Sequence, residues 1–167
     1  MSVQPVLQHL NILIQLHEQM LELAQQKRTV IIEDQVDELT RITNAERRLV
    51  KQIEDSEQAL FAAARAFLQE KGVRGAARPA MTELIRYVFH AGERSELLAA
   101  RTKLTRLLDQ LKEINELNQQ LIRQSLDFIR YSIDLMSGSP DDDLMYQRPE
   151  EKTAGNYPGR NYFDARA

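Results

Sequence analysis

Residues recur along positions 3–32 at alternating intervals of four and three: Val3, Leu7, Leu10, Ile14, His17, Leu21, Ala24, Arg28 and Ile31. That spacing lines one face of a helix, and Leu13, Leu16, Met20 and Leu23 widen the apolar part of it. Pro5 falls in the first turn, where its missing N–H leaves no helical bond unmade. The same period resumes with Leu39, Ile42, Glu46, Leu49, Ile53, Ser56, Leu60, Ala63 and Phe67. A third and most regular run follows: Leu104, Leu107, Leu111, Ile114, Asn118, Leu121, Ser125, Phe128, Ser132 and Leu135. It holds a 3,4 repeat over about four heptads, a pattern of helices that pack along their length.

The chain breakers agree with this pattern. Residues 6–71 and 93–137 contain neither glycine nor proline. An unbroken helix over the first of these stretches would be about 99 Å long, too long for a compact domain of this size. A break is therefore predicted near Thr29-Val30-Ile31-Ile32, a β-branched run of weaker helix formers, with Asp34 as N-cap of the next helix and Asp37 and Glu38 in its first turn. That helix should end at Lys71-Gly72, with glycine just past the last turn. Residues 79–89 have room for a short helix after a loop, and the third long helix should start near Gly92-Glu93. Past Ser137-Gly138-Ser139-Pro140 the period stops. Six of the eleven breakers lie from Gly138 onward, with Asp141-Asp142-Asp143 among them. Such a segment buries too little to offset ordering entropy and is expected to be a flexible C-terminal tail. The fold expected is all-α, an elongated antiparallel helical hairpin or bundle of three long helices plus one short helix, with a domain at 1–137 and a tail at 138–167.

Composition narrows the chemistry. The 167 residues include no cysteine and no tryptophan, which removes a disulfide framework, a Cys-ligated zinc site and a thiolate nucleophile. Twenty-two basic against twenty-five acidic residues leave a net charge of −3, so neither nucleic acid nor an anionic lipid surface is an expected partner. The first turn carries no basic cluster, and Gln8, His9, Asn11 and Gln15 interrupt its apolar residues, so neither a signal peptide nor a membrane insertion is expected, and the location expected is cytoplasmic.

Catalytic signatures are thin. A carboxylate-bridged di-iron bundle needs Glu three residues before a His, but Val6, Ile14 and Tyr87 hold those positions before His9, His17 and His90. His17-Glu18 opens like a zinc-protease helix, yet Leu21 stands where the second His would. No glycine precedes residue 72, so no phosphate loop exists in the first helices. His17 lies on the apolar stripe and reads as a packed histidine, and His90 has no surrounding pattern that supports phosphotransfer. No enzyme activity, metal or cofactor is expected. Polar residues inside the heptads are the better signal. Glu46, Asn118, Ser125 and Ser132 at core-type positions either set helix register or mark a groove that takes a partner helix. The periodicity leaves both open.

Residues 115–122 (Asn-Glu-Leu-Asn-Gln-Gln-Leu-Ile) and 125–135 (Ser-Leu-Asp-Phe-Ile-Arg-Tyr-Ser-Ile-Asp-Leu) resemble the last helix of the FlgN family of bacterial flagellar type III export chaperones. Asp34-Gln35-Val36-Asp37-Glu38-Leu39 followed by Glu46 resembles that family's bend and second helix, and Tyr146 its tail; the resemblance spans roughly residues 4–146. It implies a cytosolic chaperone that binds the disordered terminal segments of hook-associated proteins, keeps them from assembling early and delivers them to the export gate and ATPase components of the export apparatus. Carried over by position, it nominates Leu121, Phe128, Ile129, Ile133, Leu135 and Met136 as client-binding residues. The family's tail often has a Tyr-Gly pair followed by another Gly; here Tyr146 is followed by Gln147-Arg148-Pro149. Leu144, Met145 and Tyr146, with the aromatics Tyr157, Tyr162 and Phe163, are the tail residues that a partner would engage. The rival reading is a scaffolding coiled coil that self-associates through its heptad faces, and the same stripes leave room for a homodimer.

Overall fold

The computed structural model describes residues 3–74 and 77–138, in which four helices and no strand occur: α1 (Gln4–Ile32), α2 (Val36–Glu70), α3 (Met81–Arg86) and α4 (Ala91–Met136). The chain divides into two units, Met1–Phe128 and Ile129–Ala167. In the first, α1 and α2 form an antiparallel pair, and α4 runs parallel to α1. The register is set by Lys103 Nζ on Glu18 at 2.6 Å and by Asn118 on the Ala24 carbonyl at 2.9 Å.

The stripes predict the core well. Val3, the N-cap residue of α1, is buried, as are Leu7, Leu10, Ile14, His17, Ala24 and Ile31 within α1 and Ile42, Leu60 and Phe67 in α2. Arg28, on the same stripe, is exposed, because its charged head stays in water. One continuous apolar cluster joins Val3 and the residues from Val6 to Ile14 of α1, Leu60 to Leu68 of α2, Leu84, Ile85 and Val88 around α3, and Leu97 and Leu107 of α4. The short helix therefore acts as a plug on the open end of the hairpin, and four fully buried side chains there (Leu10, Leu68, Leu84 and Leu97) come from all four helices.

The end of α2 follows expectation. Gly72 has φ +75, its N–H donates to the Gln69 carbonyl, and the Val73 N–H donates to that of Leu68, both at 2.9 Å. These two bonds satisfy carbonyls that the last helical turn leaves open. The α1–α2 turn corrects the sequence reading. The β-branched run to Ile32 remains helical, and Asp34 does not cap α2; no side-chain cap bond is made there and the N-cap position is Gln35. Instead Asp34 ends α1. It takes φ +54, its N–H donates to the Ile31 carbonyl and that of Gln35 to the Val30 carbonyl. This is the arrangement found at Gly72, with aspartate in place of glycine, and Asp is one of the few side chains that enters the left-handed region at modest cost. Asp34→Gly is expected to stabilise the protein by roughly 0.5–1 kcal/mol, and Asp34→Val to destabilise it by about 1–2 kcal/mol. Paired thermal melts check this; a Gly variant that melts below the parent contradicts it.

In the second unit the described residues are 129–138, the last turns of α4 and its exit. The helix closes with the Ser137 N–H donating to the Ile133 carbonyl at 2.8 Å.

Candidate functional site

The polar residues of the heptads acquire partners that sequence spacing could not name. Asn118 is 3% exposed, and its Nδ2 donates to the Ala24 carbonyl at 2.9 Å across the α1–α4 seam. Its Oδ1 is buried with no partner among the described residues. Glu46 accepts from Lys27 Nζ at 2.8 Å, and both side chains are largely buried. The long stem of Lys27 reaches over the seam from α1, so the charge of Glu46 is met before it enters the interior. The Ser56 hydroxyl is buried and likewise has no partner among the described residues. Ser125 and Ser132 are half-buried.

Two of the three histidines, His17 and His90, make local hydrogen bonds. His17 is buried, and its Nδ1 donates to the Leu13 carbonyl at 2.7 Å, which fixes the proton on that nitrogen. His90 stands just before α4, and its Nδ1 accepts the Glu93 N–H at 3.5 Å, the geometry of a side-chain N-cap. Among the described residues no group of three or more His, Cys, Asp or Glu is placed to hold a metal, and no helix is long and apolar enough to cross a membrane.

Beyond Asn118, no described residue of α4 is buried, although the heptad pattern continues. Leu121 is half-buried, whereas Phe128 is 70% exposed and is therefore not the core residue its heptad position predicts; the same holds for Leu135. A 3,4 repeat says which face residues share, and burial additionally needs a neighbouring helix to cover that face. In the second unit Ile129, Ile133, Leu135 and Met136 are all exposed, Ile133 at 57% and Met136 at 87%. Tyr131, not singled out in the sequence, is exposed as well and lies one turn before Leu135. At 100° per residue, Tyr131, Leu135, Met136, Ile129 and Ile133 span an arc of about 200° that Ser132 interrupts between Leu135 and Met136, and Arg130 and Asp134 occupy the rest. A helix facing a core on one side normally shows an apolar stripe near 100° wide, so this segment carries far more apolar surface than a solvated helix end needs. The tail residues Leu144, Met145, Tyr146, Tyr157, Tyr162 and Phe163 lie outside the described residues.

The described residues of the first unit thus form an antiparallel helical pair with a third long helix beside it, and those of the second are helical turns with exposed apolar side chains. Comparison with known proteins supplies the family: the chain matches the FlgN protein family over residues 1–154 and belongs to it. It is also 29% identical over 137 residues to the uncharacterized protein YvyG of Bacillus subtilis, covering 81% of each chain. No solved structure is a significant match. Membership makes the protein a chaperone of flagellar export, in a family of chaperones rather than enzymes, that binds flagellar proteins.

Proposed function

We propose that this chaperone binds the terminal segments of hook-associated proteins in the cytoplasm, keeps them from assembling before export, and passes them to the gate and ATPase components of the export apparatus. The observation that supports this most is the run of exposed apolar residues in α4 after Asn118. The client contacts are Leu121 and Phe128 of the first unit and Ile129, Ile133, Leu135 and Met136 of the second. A segment disordered before binding pays its ordering entropy on contact, so it needs a broad apolar surface to dock on, and an amphipathic helix laid along such a surface is a recurrent solution. Residues 1–137 are the client-binding domain. Residues 138–167 are the tail that engages the export apparatus through Leu144, Met145, Tyr146, Tyr157, Tyr162 and Phe163.

The test is direct. Mixing the full chain with the C-terminal segment of a hook-associated protein is expected to give a stoichiometric, soluble complex by size-exclusion chromatography and calorimetry. Absence of binding at micromolar concentration, with the chain forming only complexes with itself, would replace this reading with the scaffolding one.

A further inference from the structure

Packing in the first unit is uneven along its length. The continuous apolar cluster occupies the end built from the start of α1, the end of α2, α3 and the first half of α4. Nearer the α1–α2 turn, clefts open on both sides of α4. One, of about 260 Å³, separates α4 from α1 and is lined by Leu21, Arg28, Ile114 and Leu117 among others. The other, of about 310 Å³, opens where α1, α2 and α4 meet, with Met20, Val50 and Ile122 as apolar wall and Lys27, Glu46 and Asn118 as polar wall. Both clefts are open to solvent, so on these two sides α4 is not closed over by its neighbours.

Asn118 gives the second cleft its chemistry. Register would be served by the Nδ2 bond to Ala24 alone, yet the amide also brings a carbonyl oxygen into the interior that has no partner among the described residues. Buried acceptors are seldom left so, because the lost hydration is not repaid. A leucine at this heptad position would pack the seam without that penalty. A group that meets this oxygen must be a donor, and the surroundings restrict its kind. Lys27 stands in the same wall already paired with Glu46, so no uncompensated charge there calls for an ionic partner and a neutral N–H suffices. Asn115 and Gln119 add exposed amides to the cleft, suited to the alternating donors and acceptors of a peptide.

We infer that this cleft is a specificity subsite for the client, taking a peptide segment that presents a neutral N–H donor beside an apolar side chain. The donor bonds Asn118 Oδ1 as α4 shifts to admit it, and the apolar side chain fills the space between Met20, Val50 and Ile122. The inference rests on the chaperone reading above and adds to it a polar point of recognition, apart from the exposed apolar residues that follow on α4.

Two variants test it. Asn118→Leu removes the acceptor, and Val50→Trp fills the cleft from its exposed α2 wall while leaving the Asn118–Ala24 bond in place. Each full-length variant and the parent are titrated with the C-terminal segment of a hook-associated protein, and each is melted alone. Asn118→Leu is expected to melt no lower than the parent yet bind about tenfold more weakly, the worth of one hydrogen bond made on binding. Val50→Trp is expected to weaken binding to a similar degree, and it decides the matter if Asn118→Leu fails to fold. Parental affinity in either folded variant overturns the subsite and leaves the chaperone reading standing. A parent that does not bind overturns both.

Discussion

Exchanging Ile129 and Ile133 together for Asp is expected to weaken client binding by at least about a hundredfold while leaving the melting temperature of the chaperone within a degree or two. The two residues are one turn apart on the same helix face and exposed in the free protein. Docking a client would remove their exposed apolar surface from water, worth roughly 1 kcal/mol each at 25 cal/mol per Å². Replacing them by Asp forfeits that and places carboxylates where the client must desolvate them, a cost of several kcal/mol unless a partner cation is present. At 1.4 kcal/mol per decade, the sum exceeds two decades. Neither substitution removes a side chain from the buried core, so the fold should not register it. Calorimetric titration beside a thermal melt separates the two effects. Unchanged affinity in the double variant would move the client contacts elsewhere, and a large drop in melting temperature would show that these residues hold the fold.

The second large effect is the opposite case. Leu68 is completely buried at the end of α2, in the cluster that joins the hairpin to α3 and α4. Leu68→Ala is expected to cost about 3 kcal/mol, from lost transfer energy plus the cavity left between helices that cannot close on it. For a domain of this size that is a fall of roughly 10 °C in melting temperature. Its affinity for client at a temperature where it remains folded should match the parent's, since Leu68 lies far along the chain from the contacts on α4. A shift of less than about 1 kcal/mol would mean that α3 and the start of α4 are loosely held and that the plug is not structural.

These paired expectations rest on an asymmetry within one helix. Leu107 and Leu135 occupy equivalent positions of the same heptad repeat, yet the first is buried and the second exposed. The repeat is a property of α4 alone. Burial is a property of α4 and whatever lies against it. The same distinction explains why Asn118 could not be interpreted from spacing. Its bonded partner, the Ala24 carbonyl, is 94 residues away in the chain, and its open oxygen is defined only by what surrounds it. Glu46 likewise looked like a polar fault in an apolar stripe until Lys27, 19 residues earlier, was seen beside it.

Local physical chemistry acts through neighbours a few residues apart, and there the sequence was sufficient. The helical period placed Val3, Leu7, Leu10, Ile14, Leu60 and Phe67 in the core, and Gly72 at the end of α2, because both depend on a turn of helix and its own hydrogen bonds. The sequence by itself also determined that the protein is helical and, through the order of its residues, its resemblance to FlgN chaperones. Tertiary structure alone decided that Asp34 would end one helix instead of starting the next, since two helices must meet at a turn tight enough to let their stripes face each other. It alone decided where the apolar stripe of α4 passes from buried core to exposed surface. That point depends on where neighbouring helices cover α4, and no interval within the stripe encodes it.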